Sequence, residues 1–176
     1  MKTNQQSLLH QHFPAYHYID CFECILTDPK DQIGILDIAE EFIKPSSPWF
    51  EKLLALRDIL VSPFNLKVVA DIEKQTDDNP VKWGIGSRAG MFKVYAKNEL
   101  EMLFGEDDRH LDFRVSLCCE PCEDNERKKR VSVSTAVRYN KMLGRVYFLF
   151  CKPVHRTLVP IQFKKKMRRL EREVND

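Results

Sequence analysis

Two segments of this chain alternate in polarity with a period of two, and that period restricts the fold more than any other feature. In the first, Leu111, Phe113, Val115 and Leu117 point one way while His110, Asp112, Arg114 and Ser116 point the other. In the second, Val131, Val133, Thr135 and Val137 alternate with Ser132, Ser134, Ala136 and Arg138. A helix scatters such a set around its axis; a pair of antiparallel strands sorts it into two faces. One face is core. The other carries an imidazole, a carboxylate and guanidinium groups in a row, which makes it either a solvated sheet surface or the polar wall of a site. On a neighbouring strand Arg138 can stand beside Asp112, and a carboxylate between two guanidiniums would form a charge-assisted network.

The rest of the chain builds around that sheet. Tyr16 to Leu26 reads as a first strand, ended by Asp28-Pro29. Ile35, Ile38, Ala39 and Phe42 recur at helical spacing and predict a helix over 32–44, weakened in its first turn by Gly34. Ser47-Pro48 then suits a helix start, and Trp49, Leu53, Leu56 and Leu60 give residues 48–61 an apolar face. Residues 71–80 are polar. Met91–Ala96 and Leu100–Phe104 predict a hairpin, followed by an acidic turn at Gly105–Asp108, a strand over 109–118, a charged loop over 120–129 and a strand over 130–139. The last third is helical. Leu143, Tyr147, Phe150 and Val154 are expected to share a face, with kinks or restarts at Pro153 and Pro160, before Phe163, Met167, Leu170 and Val174 form a final stripe. This order predicts an α+β domain: a curved antiparallel sheet packed around a long, proline-interrupted C-terminal helix.

Composition limits the functional classes. With 176 residues the chain suits a single domain, 1–176, with a core that needs no metal or disulfide staples, residues 1–14 being expected to be flexible. The net charge of +2 supplies no single-signed field for nucleic acid. The polar N-terminus lacks a secretory pattern, and the apolar region 142–163 carries too many charges for stable insertion in a bilayer, so a cytoplasmic protein with reduced thiols is expected. The last apolar stripe is core or a homodimer seam. The basic run Lys164–Arg169 is a solvated face or a weak contact for anionic lipid or nucleic acid.

Several motifs resemble sites without their context. Cys21-x-x-Cys24 and Cys119-x-x-Cys122 imitate a four-thiolate zinc site, but residues three apart on a strand point to opposite faces, so no metal is expected. Gly84-Ile85-Gly86-Ser87-Arg88-Ala89 matches a loose dinucleotide fingerprint without the surrounding strand–helix–strand unit, so no cofactor is expected either. His155 and Arg156 lie between two prolines. His155 is either structural or a donor, acceptor or acid–base group that approaches the His110–Asp112–Arg114 face. Glu51, Asp58 and Glu106 show no carboxylate pairing.

These residues resemble a bacterial family known as domain of unknown function 2867. The resemblance rests on Pro48-Trp49 with Leu54-Ala55-Leu56-Arg57-Asp58, Gly90-x-Phe92-x-Val94, the run Gly105 to Arg114, Val133-Ser134-Thr135-x-Val137-Arg138, Leu143-Gly144-Arg145-x-Tyr147-Phe148, and Pro153-x-His155-Arg156-x-x-Val159-Pro160. It covers about Tyr16 to Arg168. It implies a relative of the helix-grip proteins (the START and polyketide-cyclase kind), in which a bent sheet wraps a long terminal helix around a cavity. In some proteins a similar domain follows a nucleotide-dependent epimerase or reductase domain. The Cys118–Cys122 loop and the interrupted final helix depart from that pattern.

The expected function is binding of a small, partly apolar ligand between sheet and terminal helix, with His110, Asp112, Arg114, Arg138 and His155 as the ligand-binding residues. An enzyme of the cyclase, isomerase or hydrolase type, using His155 and Asp112 as acid and base, is the alternative. A third reading is a scaffold or membrane-surface protein that uses the basic helix. Whether the chain is an enzyme stays open from the sequence.

Overall fold

The computed structural model describes residues 7–44, 83–89 and 92–175. The helix expected over 48–61 and the polar stretch 71–80 lie outside the described residues. The elements are α1 (Leu8–His12), β1 (Tyr18–Thr27), α2 (Ile35–Ile43), β2 (Arg88–Ala89), β3 (Phe92–Lys97), β4 (Glu101–Asp107), β5 (Leu111–Cys122), β6 (Asn125–Tyr139) and α3 (Met142–Asn175). The class is α+β, as the alternation predicts. One six-stranded antiparallel sheet has the order β1-β6-β5-β4-β3-β2, so β1 returns to pair with the last strand.

The charged segment 120–129 is not a loop. β5 runs on to Cys122 and β6 begins at Asn125, leaving a tight turn at Glu123-Asp124. Opposite charges explain how so polar a segment pairs: Glu120 faces Arg130 across the strands.

On one face of the sheet, α2 and the second half of α3 cover Leu26, Val94, Met102, Phe104, Val115, Leu117, Val131 and Val133. Burial of these side chains, each worth about 1.5–3 kcal/mol, is the main source of stability. α2 starts at Ile35 rather than 32, because Gln32 and Ile33 donate their amides to Asp28 and Asp37 accepts from the amide of Gly34 at 2.7 Å. Its C-terminal carbonyls are closed by the ammonium of Lys166, which donates to Phe42 O and Lys44 O at 2.7 and 2.5 Å.

α3 is one uninterrupted helix of 34 residues that passes through Pro153 and Pro160 without restarting. Its docked face also differs from the expected one. Gly144, Phe148, Phe163, Met167 and Leu170 are buried, with Cys151, His155 and Val159 half-buried between them, whereas Phe150 is 72% and Val154 47% exposed. The first half of this helix is apolar nearly all round, so periodicity alone allowed two faces. The close approach at Gly144 selects one: a Cβ there would lie 2.1 Å from the carbonyl oxygen of His110. That same carbonyl accepts from the amides of Asn140 and Lys141 at 2.9 and 3.1 Å, anchoring the start of α3 on the turn between β4 and β5.

The opposite sheet face is covered too. Residues 7–13, expected to belong to a flexible stretch, form α1 and bury Leu8, Leu9 and Phe13 against Ala96, Leu103 and Ala136.

Candidate functional site

The sheet divides the five candidate residues. Asp112, Arg114 and Arg138 lie on the side covered by the N-terminal segment, and His110 lies in the turn between β4 and β5 against the start of α3. His155 lies on α3, on the other side, so it does not approach them; its ring meets Asp20 of β1 instead.

The polar face is only partly solvated: Asp112 and Arg114 are buried, while the Arg138 and Asp107 side chains stay 41% and 55% exposed. Register places Asp112 opposite Arg138, and the guanidinium donates to Asp112 Oδ2 at 2.7 and 3.2 Å, as the strand geometry led one to expect. The other carboxylate oxygen accepts from Asn140 at 2.8 Å and from the amide of Asp108 at 3.2 Å. Arg114 does not complete a carboxylate between two guanidiniums. It crosses β4 over Gly105, where a Cβ would meet its Cδ at 2.7 Å, and donates to Asp107 at 2.8 Å. Its Cζ lies 3.5 Å from the centroid of the Tyr95 ring, and Phe13 sits 5.0 Å from Arg114 and 4.9 Å from Arg138. Burial pushes the Asp107 pKa up, but hydrogen bonds from Tyr95 and Arg114 outweigh it and hold the carboxyl below its ordinary value. His110 is buried, with Nδ1 lacking a hydrogen-bond partner among the described residues.

Glu101, which no sequence pattern singled out, organises this layer. Its buried carboxylate accepts from Ser7 Oγ at 2.7 Å, Ser116 Oγ at 2.6 Å, and the amides of Leu8 and Leu9 at 2.8 and 3.3 Å. A side chain of β4 thus supplies the acceptors that the first turn of α1 needs. Its place at the head of the apolar run Met102-Leu103-Phe104 is the only signal the sequence offered.

On the helix side, Tyr18 and Asp20 project from β1 and His155 from α3. Tyr18 donates its hydroxyl to Asp20 Oδ2 at 2.5 Å, and His155 Nδ1 stands 3.2 Å from the same oxygen. Asp20 Oδ1 is buried and has no hydrogen-bond partner among the described residues. Burial, reinforced by the hydrogen bond to Asp20, pushes the Tyr18 pKa well above its usual value, so the phenol stays a neutral donor. The trio lies between two apolar clusters, with the buried Thr135 of β6 opposite Asp20 and the Lys152 ammonium 5.1 Å from the Tyr18 ring. Leu111, Val137 and Phe148 pack on one side of the trio; Val133, Val159 and Phe163 pack on the other. Along α3, Cys151, His155 and Val159 follow at successive four-residue steps, so the imidazole sits where the two clusters meet. β1 is the sheet edge, which leaves the Asp20 and His155 side chains 12% and 23% exposed.

Two further carboxylates are held in ion pairs. Asp28 is held by Lys129 at 2.9 Å in addition to two amides, and Glu106 pairs with Arg88 at 3.1 Å. Burial pushes the thiols of Cys24 and Cys119 up to about 11 and that of Cys118 to about 12, so all three stay protonated near neutral pH. No group of metal-binding side chains forms among the described residues, and none of their helices is long and apolar enough to cross a membrane. The glycine motif at 84–89 is a turn, with φ of 88° at Gly86, that leads into β2.

Comparison with curated proteins and with solved structures gives no match. A family model described as "Protein of unknown function (DUF2867)" matches residues 12–161, a span holding β1, the whole sheet and the half of α3 that carries His155. The chain belongs to that family.

Proposed function

We propose that this chain is a helix-grip-type receptor. It binds a small, partly apolar molecule bearing a hydroxyl or amine between the sheet and α3, at the Tyr18–Asp20–His155 trio. The observation that carries the reading is Asp20 Oδ1, a buried carboxylate oxygen without a partner among the described residues, set between two apolar clusters. Leaving such an acceptor unsatisfied costs about 1–3 kcal/mol, which a ligand donor would recover. Tyr18 holds the other oxygen, so the carboxylate is already oriented, and the apolar clusters on either side suit a hydrocarbon body. Asp112, Arg114 and Arg138 act in this reading as support beneath the N-terminal segment, and His110 as support for the start of α3, not as ligand contacts.

A thermal-shift series with octylamine, octanol and octanoate tests it. The amine and the alcohol raise the melting temperature of the wild-type chain, the carboxylate does not, and Asp20→Asn abolishes the discrimination. Equal shifts for all three, or shifts unchanged in Asp20→Asn, contradict the assignment. The contact between Asp20 and His155 also favours a second reading, acid–base catalysis by an imidazole that a carboxylate orients, in place of the expected His155–Asp112 pair. Under that reading His155→Gln keeps ligand binding and loses turnover of the bound molecule.

A further inference from the structure

We propose that the outer face of α3 is a docking surface for an anionic lipid membrane, on which the domain lies peripherally. This proposal is independent of the ligand site.

Met142, Val146, Leu149, Phe150 and Val154 recur at i, i+4, i+7, i+8 and i+12, which places them on one side of the helix. That side faces away from the sheet. Met142, Leu149 and Phe150 are 73%, 67% and 72% exposed, beyond what scattered surface apolars require. Toward the C-terminus the same helix turns basic: Ile161, Lys164, Lys165, Arg168 and Arg172 line one surface groove.

Charge decides the partner. From Met142 to Leu170 the helix contains eight Lys and Arg residues and no Asp or Glu, while the whole chain has a net charge of only +2. Arg145, Arg156, Lys164 and Arg168 are exposed and form no ion pair among the described residues. A second copy docked on this face would bring two cationic helices together, which repels. A nucleic acid would engage the cations but leave Met142, Leu149 and Phe150 without a matching surface. An anionic bilayer satisfies both halves: acyl chains and the headgroup boundary accept the aliphatic side chains, and phosphate accepts the cations.

The test is flotation of the full-length chain with vesicles of phosphatidylcholine alone and of phosphatidylcholine mixed equally with phosphatidylglycerol. The proposal predicts binding to the mixed vesicles and little to the neutral ones. It also predicts about ten-fold or greater loss of that binding in Leu149→Glu/Phe150→Glu and, separately, in Lys164→Glu/Arg168→Glu. All four positions are exposed, and an unchanged melting temperature confirms the fold of each variant. Absence of binding to the mixed vesicles, or equal binding to both kinds, overturns the proposal. So does loss in the charge variant only, accompanied by equally tight binding of duplex DNA, which marks a nucleic-acid surface. Concentration-dependent dimerisation that Leu149→Glu/Phe150→Glu abolishes overturns it in favour of a second copy.

Discussion

Glu101→Gln is the most informative single perturbation of the N-terminal layer. The substitution keeps shape and volume. It removes the charge that strengthens three hydrogen bonds on Oε1, and it sets an amide nitrogen either against the amide of Leu8 or among the donors Ser7, Leu9 and Ser116. Hydrogen bonds to a charged acceptor are worth about 1.5–3 kcal/mol each. Partial weakening of several, plus one donor opposed to a donor, totals about 2–4 kcal/mol. The loss has a ceiling. Once it exceeds the free energy that docks residues 7–13, the segment detaches, its amides return to water, and further loss stops. Phe13→Ala draws on the same reserve, about 3–5 kcal/mol for the buried ring, together with its contacts to two guanidiniums. The double variant is therefore expected to lose clearly less than the sum of the single variants, although Phe13 does not touch the carboxylate by any hydrogen bond described above. Urea unfolding supplies the stabilities, and hydrogen exchange at Leu8–Phe13 reports detachment directly. A change under about 0.5 kcal/mol for Glu101→Gln with unchanged exchange, or strict additivity in the double variant, would refute the argument.

Three other outcomes follow from the same geometry. Gly144→Ala forces a Cβ against the carbonyl of His110, 2.1 Å away, and should cost about 2 kcal/mol or more, a fall of about 4–8 °C in the melting temperature. Arg114→Ala deprives the carbonyls of Phe113 and Glu106 of a donor and Phe13 of a cation; about 2 kcal/mol is expected in denaturant unfolding, against almost nothing had this been a solvated face. Burial raises the Asp28 pKa, but Lys129 and the amides of Gln32 and Ile33 outweigh it and leave the pKa lowered. Its contribution to stability is thus present above about pH 4 and lost as pH falls through the lowered value, so Asp28→Asn should flatten the acid limb of a stability–pH profile.

The sheet was legible because period-two patterning survives in β5 and β6 whatever covers them. Arg138 beside Asp112 followed as an arrangement that two such strands allow, and the register realises it. What covers the polar face was not legible. Leu8, Leu9 and Phe13 are isolated among polar residues, and their burial depends on Glu101, a residue distant in sequence. Hidden for the same reason was the partner of His155: Asp20 is one of two acidic residues in a mostly apolar strand, 135 positions away. In α3 the difficulty was excess signal. Phe148 and Phe150 both continue a helical apolar stripe, and only the close approach at Gly144 decides which one docks. The segment 120–129 failed for want of apolar residues, since opposite charges in register and a tight turn stand where alternation does the work elsewhere.

Native mass spectrometry of the wild-type chain and of Asp20→Asn, expressed and isolated identically, puts the ligand-site proposal to its most direct trial. A non-covalent adduct of small-molecule mass on the wild type, released by acid and missing from Asp20→Asn, is the predicted result. Bare wild-type protein, or the same adduct at equal occupancy in both, would contradict it.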